Sequence, residues 1–299
     1  MKYRFVKSYR LSFRVSEMCR VLKVGSSGYY AWMDRGKRGA SLRAISDTKL
    51  RSVIVGVFKA SKGRYGSPRM YHELKALGFA CSKKRVARLM SELNLVARRA
   101  PRRVRTTDSN HRFPVAMNLL DRRFSVDQIP GPNQFWCSDF TYVPTDQGWL
   151  YLAVVLDLYS RKVVGWSMSA SMDQDFVLDA FTMAVGQRHP QPGLLHHSDQ
   201  GSQYAGYAHR DLLAGCQAEV SMSRKANCWD NAVIESFFAS IKTELIHTGR
   251  FATREQASSA IFEYIEVFYN RERRHSTLDY LSPVEYERRH CINMQPKPA

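Results

Sequence analysis

The sequence predicts an α/β core built on a mixed five-stranded sheet, preceded by small all-α modules of the helix-turn-helix type. Two observations carry this. Three strand-like runs follow one another at 134–143, 149–157 and 161–169, and beyond them helix-like and strand-like patterns alternate. The first hundred residues hold only helical periodicity, cut by glycine and proline. Consecutive strands joined by short turns make an antiparallel meander, and the alternation after it adds strands of mixed direction.

In chain order, residues 16–33 read as two short helices about a turn. Ser16 suits the N-cap of the first, with Val15, Met18, Cys19 and Leu22 apolar. Val24-Gly25-Ser26 breaks the pattern, and Ser26 or Ser27 starts the second helix, through Tyr29, Tyr30 and Trp32. A helix over 43–60 then runs into a loop dense in breakers, Ser61 to Pro68. Pro68 suits the first turn of a helix from Arg69 to Leu77, which Gly78 ends. Ser82 caps a third helix, with Val86, Leu89, Met90 and Leu93 as its apolar stripe and Lys83, Lys84, Arg85 and Arg88 on the other faces. A capped basic helix after a helix and turn is a candidate for entering a DNA groove; a solvated charged face is the plainer alternative. These segments divide as domains 1–36 and 40–97.

A basic linker is expected over 98–130. Arg98, Arg99, Arg102, Arg103 and Arg105 fall close together around Pro101 with no apolar periodicity. Such a run stays extended and orders on a phosphate backbone. The core is expected over 131–250. After the meander come a helix near 174–188, a strand at 193–198, a helix at 206–215, a strand at 218–223 and a helix near 231–247. A last helix near 253–271 and a basic tail fill 251–299.

The net charge is +18, and it is unevenly placed. Residues 1–130 hold 30 Lys/Arg against 8 Asp/Glu, and residues 131–299 hold 15 against 19. A basic excess confined to under half the chain points to a polyanion partner, because cationic side chains release counterions from phosphates. The six cysteines form no C-x-x-C and no zinc-like spacing with histidine, so they read as thiols in a reducing compartment. There is no apolar run of about 18 residues, so no membrane span is expected. The expected location is the cytoplasm.

Three carboxylates stand out. Asp139 lies in a strand-like run, Asp199 ends another, and Glu235 lies in a helical pattern with 35 residues between it and Asp199. Phosphodiester transfer needs an activated oxygen nucleophile and a stabilised leaving oxygen, and two divalent ions held by carboxylates supply both. Asp139 shares a mostly apolar strand face with Phe135, Cys137, Thr141 and Val143, where an acid is costly unless paired or metal-bound. Asp199 opens the loop Gln200-Gly201-Ser202-Gln203. On the helix, Ile234, Phe237, Phe238, Ile241 and Leu245 form the buried stripe, and Asn231, Glu235 and Lys242 cluster beside it. Taken singly, each acid has a plainer reading: a strand-end turn former, a cap, a surface helix residue. Asp157 and Glu244 compete on spacing. His196 and His197 read as packed strand histidines, and adjacent strand residues point apart, so they do not ligate zinc together.

The stretches Trp136-Cys137-Ser138-Asp139-Phe140-Thr141-Tyr142, His197-Ser198-Asp199-Gln200-Gly201-Ser202-Gln203-Tyr204 and Asp230-Asn231-Ala232-Val233-Ile234-Glu235-Ser236-Phe237-Phe238, with Lys242 beyond, resemble catalytic motifs of bacterial insertion-sequence transposases. The group is the IS-three family, whose core is similar to retroviral integrase. The runs from Cys19 to Trp32, from Tyr65 to Arg69 and from Tyr269 to Pro283 resemble the same family. The resemblance implies an RNase-H-like core, two Mg²⁺ or Mn²⁺ ions on Asp139, Asp199 and Glu235, and Lys242 in the basic position seven residues after the glutamate. It implies cleavage at element ends by water, then attack of the released 3′-OH on another phosphodiester. Partners expected with it are double-stranded DNA, at terminal inverted repeats and target, a second copy of the chain in a homo-oligomer, and a first-frame protein or its fusion. Ser26, Tyr29, Arg64, Tyr65, Arg69, Asn231, Arg271, Arg273, Arg274 and His275 join the basic helix and the linker arginines as expected DNA contacts. The retroviral His-His-Cys-Cys module is absent, and no heptad run appears. Two other readings remain: a non-catalytic DNA-binding regulator or end-binding subunit, and a nuclease on RNA–DNA hybrids.

Overall fold

The computed structural model describes residues 1–37, 41–98, 114–225 and 227–292. It divides into two compact units, Met1–Ala97 and Arg98–Ala299.

The first unit holds two three-helix clusters. Helices α1 (Lys2–Tyr9), α2 (Val15–Val21) and α3 (Ser26–Lys37) close over Val6, Met18, Cys19 and Tyr29. α1 is not evident in the sequence pattern. Val6 is its one buried residue, too little apolar periodicity to read, and a helix this short forms only against partners. Ser16 does not cap α2: the helix begins at Val15, with Arg14 at its N-cap making no side-chain bond. The second cluster is α4 (Leu42–Ala60), α5 (Ser67–Ala76) and α6 (Lys83–Glu92), packed on Leu50, Ile54, Met70, Leu74, Val86, Leu89 and Met90. Its punctuation follows the residues. Ser41 and Ser82 accept from the backbone N–H of Ala44 and Arg85, satisfying first-turn donors. Pro68 sits in the first turn of α5, and Gly78 leaves that helix at φ +84°, where a side chain would be strained.

The second unit is built on β1 (Phe135–Thr145), β2 (Gly148–Asp157), β3 (Val163–Ser169), β4 (Leu195–Ser198) and β5 (Glu219–Met222). Their order is β3-β2-β1-β4-β5. β1, β2 and β3 run antiparallel, while β4 pairs parallel with both β1 and β5. Helix α7 (Asp175–Arg188) lies so close to β3 and β2 that a Cβ on Gly165 would collide with the Ala180 carbonyl. Phe176, Phe181 and Ala184 of α7 meet Trp136, Ala153, Val155 and Val164 of the sheet in one core. Short α8 (Ser202–Ala205) and α9 (Tyr207–Gly215) separate β4 from β5, and α10 (Ala232–Glu244) packs against β1.

Two expectations change here. The helix foreseen over 253–271 is α11 (Arg254–Phe262) followed by ten residues of wider π winding, Glu263–Glu272. That stretch docks on β3. The Asn270 amide bonds both the N–H and the C=O of Val163, and Glu266 accepts from the Trp166 indole. The second half of the expected linker is not a tether. The Met117 carbonyl accepts from Met222 N–H, and the N–H groups of Leu119 and Leu120 donate to Ser221 Oγ, which fastens this segment to β5. Residues 99–113, with Arg99, Arg102, Arg103 and Arg105, lie outside the described residues. A last helix, α12 (Pro283–Ile292), ends the described chain.

Candidate active site

The strand register places the first two carboxylates. Ser138 of β1 pairs with Ser198 of β4, so Asp139 and Asp199 are each one step beyond neighbouring positions. Asp199 Oδ1 accepts from Gly201 N–H at 2.9 Å. A Cβ on Gly201 would crowd that same oxygen at 2.9 Å, so the turn favours glycine. Asp139 Oδ1 accepts from Phe140 N–H at 2.8 Å. The period of two puts Cys137 on the same face of β1 as Asp139. The Cys137 thiol donates to Asn231 Oδ1 at 2.8 Å, which pins the start of α10 against β1. Glu235 lies one turn further along α10, and Lys242 follows on that helix.

Electrostatics ties the four groups together. The Asp139 carboxyl is pushed well above its ordinary range, first by burial and then by the Asp199 carboxylate, with Glu235 adding to the push. The Phe140 N–H and the Lys242 ammonium pull the other way. Lys242 is lowered by its own burial against the attraction of Asp139. Like charges gathered in a partly desolvated cleft are unfavourable alone and are relieved by a cation. All three acids offer hard oxygen donors of the kind that Mg²⁺ and Mn²⁺ prefer. Among the described residues no three His, Cys, Asp or Glu side chains converge closely enough to hold a metal as they stand. The donor set therefore fits a divalent cation in chemistry and charge, and ligation requires the side chains to draw together.

The competing acids are accounted for otherwise. Asp157 is fully buried and accepts from the N–H groups of Asn133, Tyr159 and Ser160, which makes it the closure of the β2–β3 turn. Glu244 is buried with Arg273, whose guanidinium donates to both its oxygens, and the Tyr264 hydroxyl donates to Glu244 Oε2 at 2.9 Å. His196 and His197 are packed, as expected: the first meets Ser138 Oγ, the second Ser221 and Ser223.

Several expected DNA contacts are committed to the interior. Arg273 is 3% exposed and held by Glu244 and Ser240, so it is a core ion pair and does not face solvent. Tyr29 and Tyr65 are buried core rings, Arg64 is buried too, and Asn231 is spent on Cys137. Arg85 and Arg88 share Asp47 of α4, which shields a large part of the charge assigned to α6. Lys83, Lys84, Ser26 and Arg271 are exposed, and Arg69, Arg274 and His275 are half-buried. Arg98 is exposed, and its guanidinium donates to the Glu244 carbonyl at the end of α10.

Sequence reasoning missed the cluster around Asp230. This carboxylate is fully buried and accepts from Arg224, Arg122 and Asn118. Hydrogen bonds from Arg224 hold it far below the usual carboxylate range. Its partners lie six residues behind it and more than a hundred before it, so only folding reveals them.

Comparison with known proteins agrees with this architecture. A family model described as an integrase core domain matches residues 130–228, a second integrase core model matches 235–290, and an HTH-like domain matches 46–103. The chain is 42% identical to "Transposase InsF for insertion sequence IS3A" of Escherichia coli (strain K12) over 96% of its own length and 98% of that protein. It is 41% identical to the 31 kDa protein of insertion element IS600 of Shigella sonnei, over 91% and 98%. Among solved structures, a chain of the simian T-cell lymphotropic virus intasome in complex with PP2A regulatory subunit B56 gamma matches at 12% identity and TM-score 0.46, covering 82% of this chain and 77% of that one. The family models and the relatives establish the RNase-H-like integrase core and the helix-turn-helix unit before it.

Proposed function

The chain belongs to the IS3 family of insertion-sequence transposases, a family that acts in DNA transposition, and on that premise we propose that it cleaves and joins DNA strands at insertion-sequence ends by two-metal-ion phosphoryl transfer. Asp139, Asp199 and Glu235 are the metal-binding carboxylates in this reading, and Lys242 steadies a phosphate beside them. The observation that carries it is the parallel register of β1 and β4, which sets Asp139 and Asp199 each one step beyond paired positions on neighbouring strands, with the start of the Glu235 helix bonded to β1 through Cys137 and Asn231; burial and the Asp199 and Glu235 carboxylates push the Asp139 carboxyl upward there. A protein that kept this core only as a scaffold would gain from neutralising those charges, since they oppose one another. Bound divalent ions would activate the attacking oxygen and stabilise the leaving one.

The chain's own residues do the remaining work. β1 and β4 hold Asp139 and Asp199 side by side through their parallel register. The Cys137–Asn231 bond fixes the start of α10 and so the approach of Glu235. Lys242, drawn toward Asp139, offers a cation to the phosphodiester at the rim. Pairing of two element ends calls for a homo-oligomer, and a first-frame protein or fusion supplies additional end recognition.

The test is incubation of the purified chain, alone and with the first-frame product, with duplex DNA carrying the element's own ends, with Mg²⁺ or with chelator. Metal-dependent nicking and joining is expected. Loss of both in Glu235→Gln, with DNA binding retained, supports the assignment, and unchanged activity in that variant sinks it. A regulator would bind without any metal-dependent product, and a hybrid nuclease would prefer an RNA–DNA duplex.

A further inference from the structure

Trp229 is a large apolar side chain left 69% exposed on the short 3-10 turn Cys228–Asn231. Its backbone is fixed on both sides. Asn227 Oδ1 accepts from Trp229 N–H and from Arg122, and Asp230, next in the chain, is fully buried under Arg224, Arg122 and Asn118. The segment that carries it touches all three carboxylate-bearing elements. At its start, Gln200, adjacent to Asp199, donates to the Ser223 carbonyl. At its end, Asn231 accepts from Cys137 on the strand of Asp139, and α10 with Glu235 begins at the next residue. The surroundings carry three cations, Arg122, Arg224 and Lys225, against two carboxylates, the buried Asp230 and the exposed Asp121 at 3.4 Å from Arg224. The side chains of Arg224 and Arg122 keep 50% and 45% exposure while bonded to Asp230, and Lys225 is exposed beside them.

Holding an indole in water costs hydrophobic free energy, and immobilising its backbone leaves that surface ready for one occupant. The neighbouring cations make a phosphate-bearing occupant favourable and an apolar protein surface unfavourable. Flat π surface beside guanidinium groups suits a nucleic-acid base lifted out of its stack, because every base offers a π face. A duplex end presented to half-buried carboxylates gains from opening its last base pairs, which lets one strand approach them alone.

We propose that Trp229 is a stacking platform for an unpaired base at the DNA end, with Arg224 and Arg122 on the adjoining backbone phosphates. It is a positioning residue, and the proposal rests on the strand-transfer reading only for where the DNA lies. The test measures binding without catalysis, in a Glu235→Gln background. Two 30-base-pair duplexes carrying the element's end are compared, one blunt and one with three unpaired terminal nucleotides, with 2-aminopurine at the terminal position of the strand to be cut. The frayed duplex should bind more tightly, by roughly fivefold to a hundredfold on the scale of one base stack, with 2-aminopurine quenched. Trp229→Ala should abolish both the preference and the quench at unchanged melting temperature, and Trp229→Phe should keep part of each. An unchanged preference in Trp229→Ala overturns the proposal. So does a variant that alters only oligomeric state, which would make the indole a contact between copies. Failure of the strand-transfer reading shows separately, as metal-dependent cleavage that survives Glu235→Gln with Trp229 intact.

Discussion

Helix α10 carries two glutamates in opposite electrostatic settings. Glu235 adds to the upward push that burial and the Asp199 carboxylate exert on the Asp139 carboxyl. Nine residues along, Glu244 is buried against Arg273, which donates to both its oxygens, with Tyr264 completing the set. One site stores repulsion that only a cation relieves; the other is neutralised by its own chain. In the reading proposed above the same residue type is reagent in the first and fastener in the second, and what separates them is the partner supplied by a distant segment.

This contrast can be broken by substitution. The largest expected effect is at the cleft. Asp139→Asn should lower metal-dependent strand transfer by about a thousandfold, the scale of removing one essential electrostatic group. It should also raise stability by about 1 kcal/mol, because a like charge is removed from a buried cluster. Chemical denaturation beside a cleavage assay checks both, and a loss of stability would contradict the stored repulsion. At the other end, Arg273→Met should destabilise by about 3–5 kcal/mol by stranding the buried Glu244 charge, and pairing it with Glu244→Leu should recover much of that loss. A double-mutant cycle on unfolding midpoints reads it, and additive effects would show that the pair is not coupled.

Acid should separate the regions further. Burial pushes the His209 imidazole down to about 4, below its ordinary value. The unfolded chain therefore takes up this proton first, so the contribution is complete above about pH 6.5 and is lost as pH falls toward 4, by up to about 3 kcal/mol. Unfolding followed across that window should show the slope, and His209→Gln should remove its share while the buried His196 and His197, also pushed down by burial, keep theirs. The smallest expected effect is on the linker. Replacing Arg98, Arg99, Arg102, Arg103 and Arg105 by Gln should reduce the salt dependence of DNA binding by a slope of up to about 4.5, with strand chemistry on pre-bound DNA preserved. An unchanged slope would remove those arginines from the interface.

Much of the fold was legible because its punctuation is local. Pro68, Gly78 and Ser82 act within one turn of where they stand, and period-two and period-3.6 patterns mark β1 to β3 and α7 without reference to other segments. α1 was invisible because its helix depends on packing, and the π winding after Phe262 because it accompanies contacts with β3. The candidate site was legible as motifs. Its competitors were not separable by spacing: the burial and bonding of Asp157 and Glu244 set them apart from Asp139 and Asp199. The same limit explains the arginines. A basic residue looks alike in sequence whether it meets DNA or a buried carboxylate, and Arg273, Arg85 and Arg88 turned inward to Glu244 and Asp47.

Sequence alone determined the class of the chain and the order of most of its elements, since these rest on residue type and period along the chain, and it nominated the three carboxylates through motifs that resemble the transposase family. Tertiary structure decided which charges are neutralised and which are left opposed. Coulomb energy and desolvation depend on distance and burial through space, and the partners of Asp139, Asp230 and Glu244 lie on segments far removed along the chain.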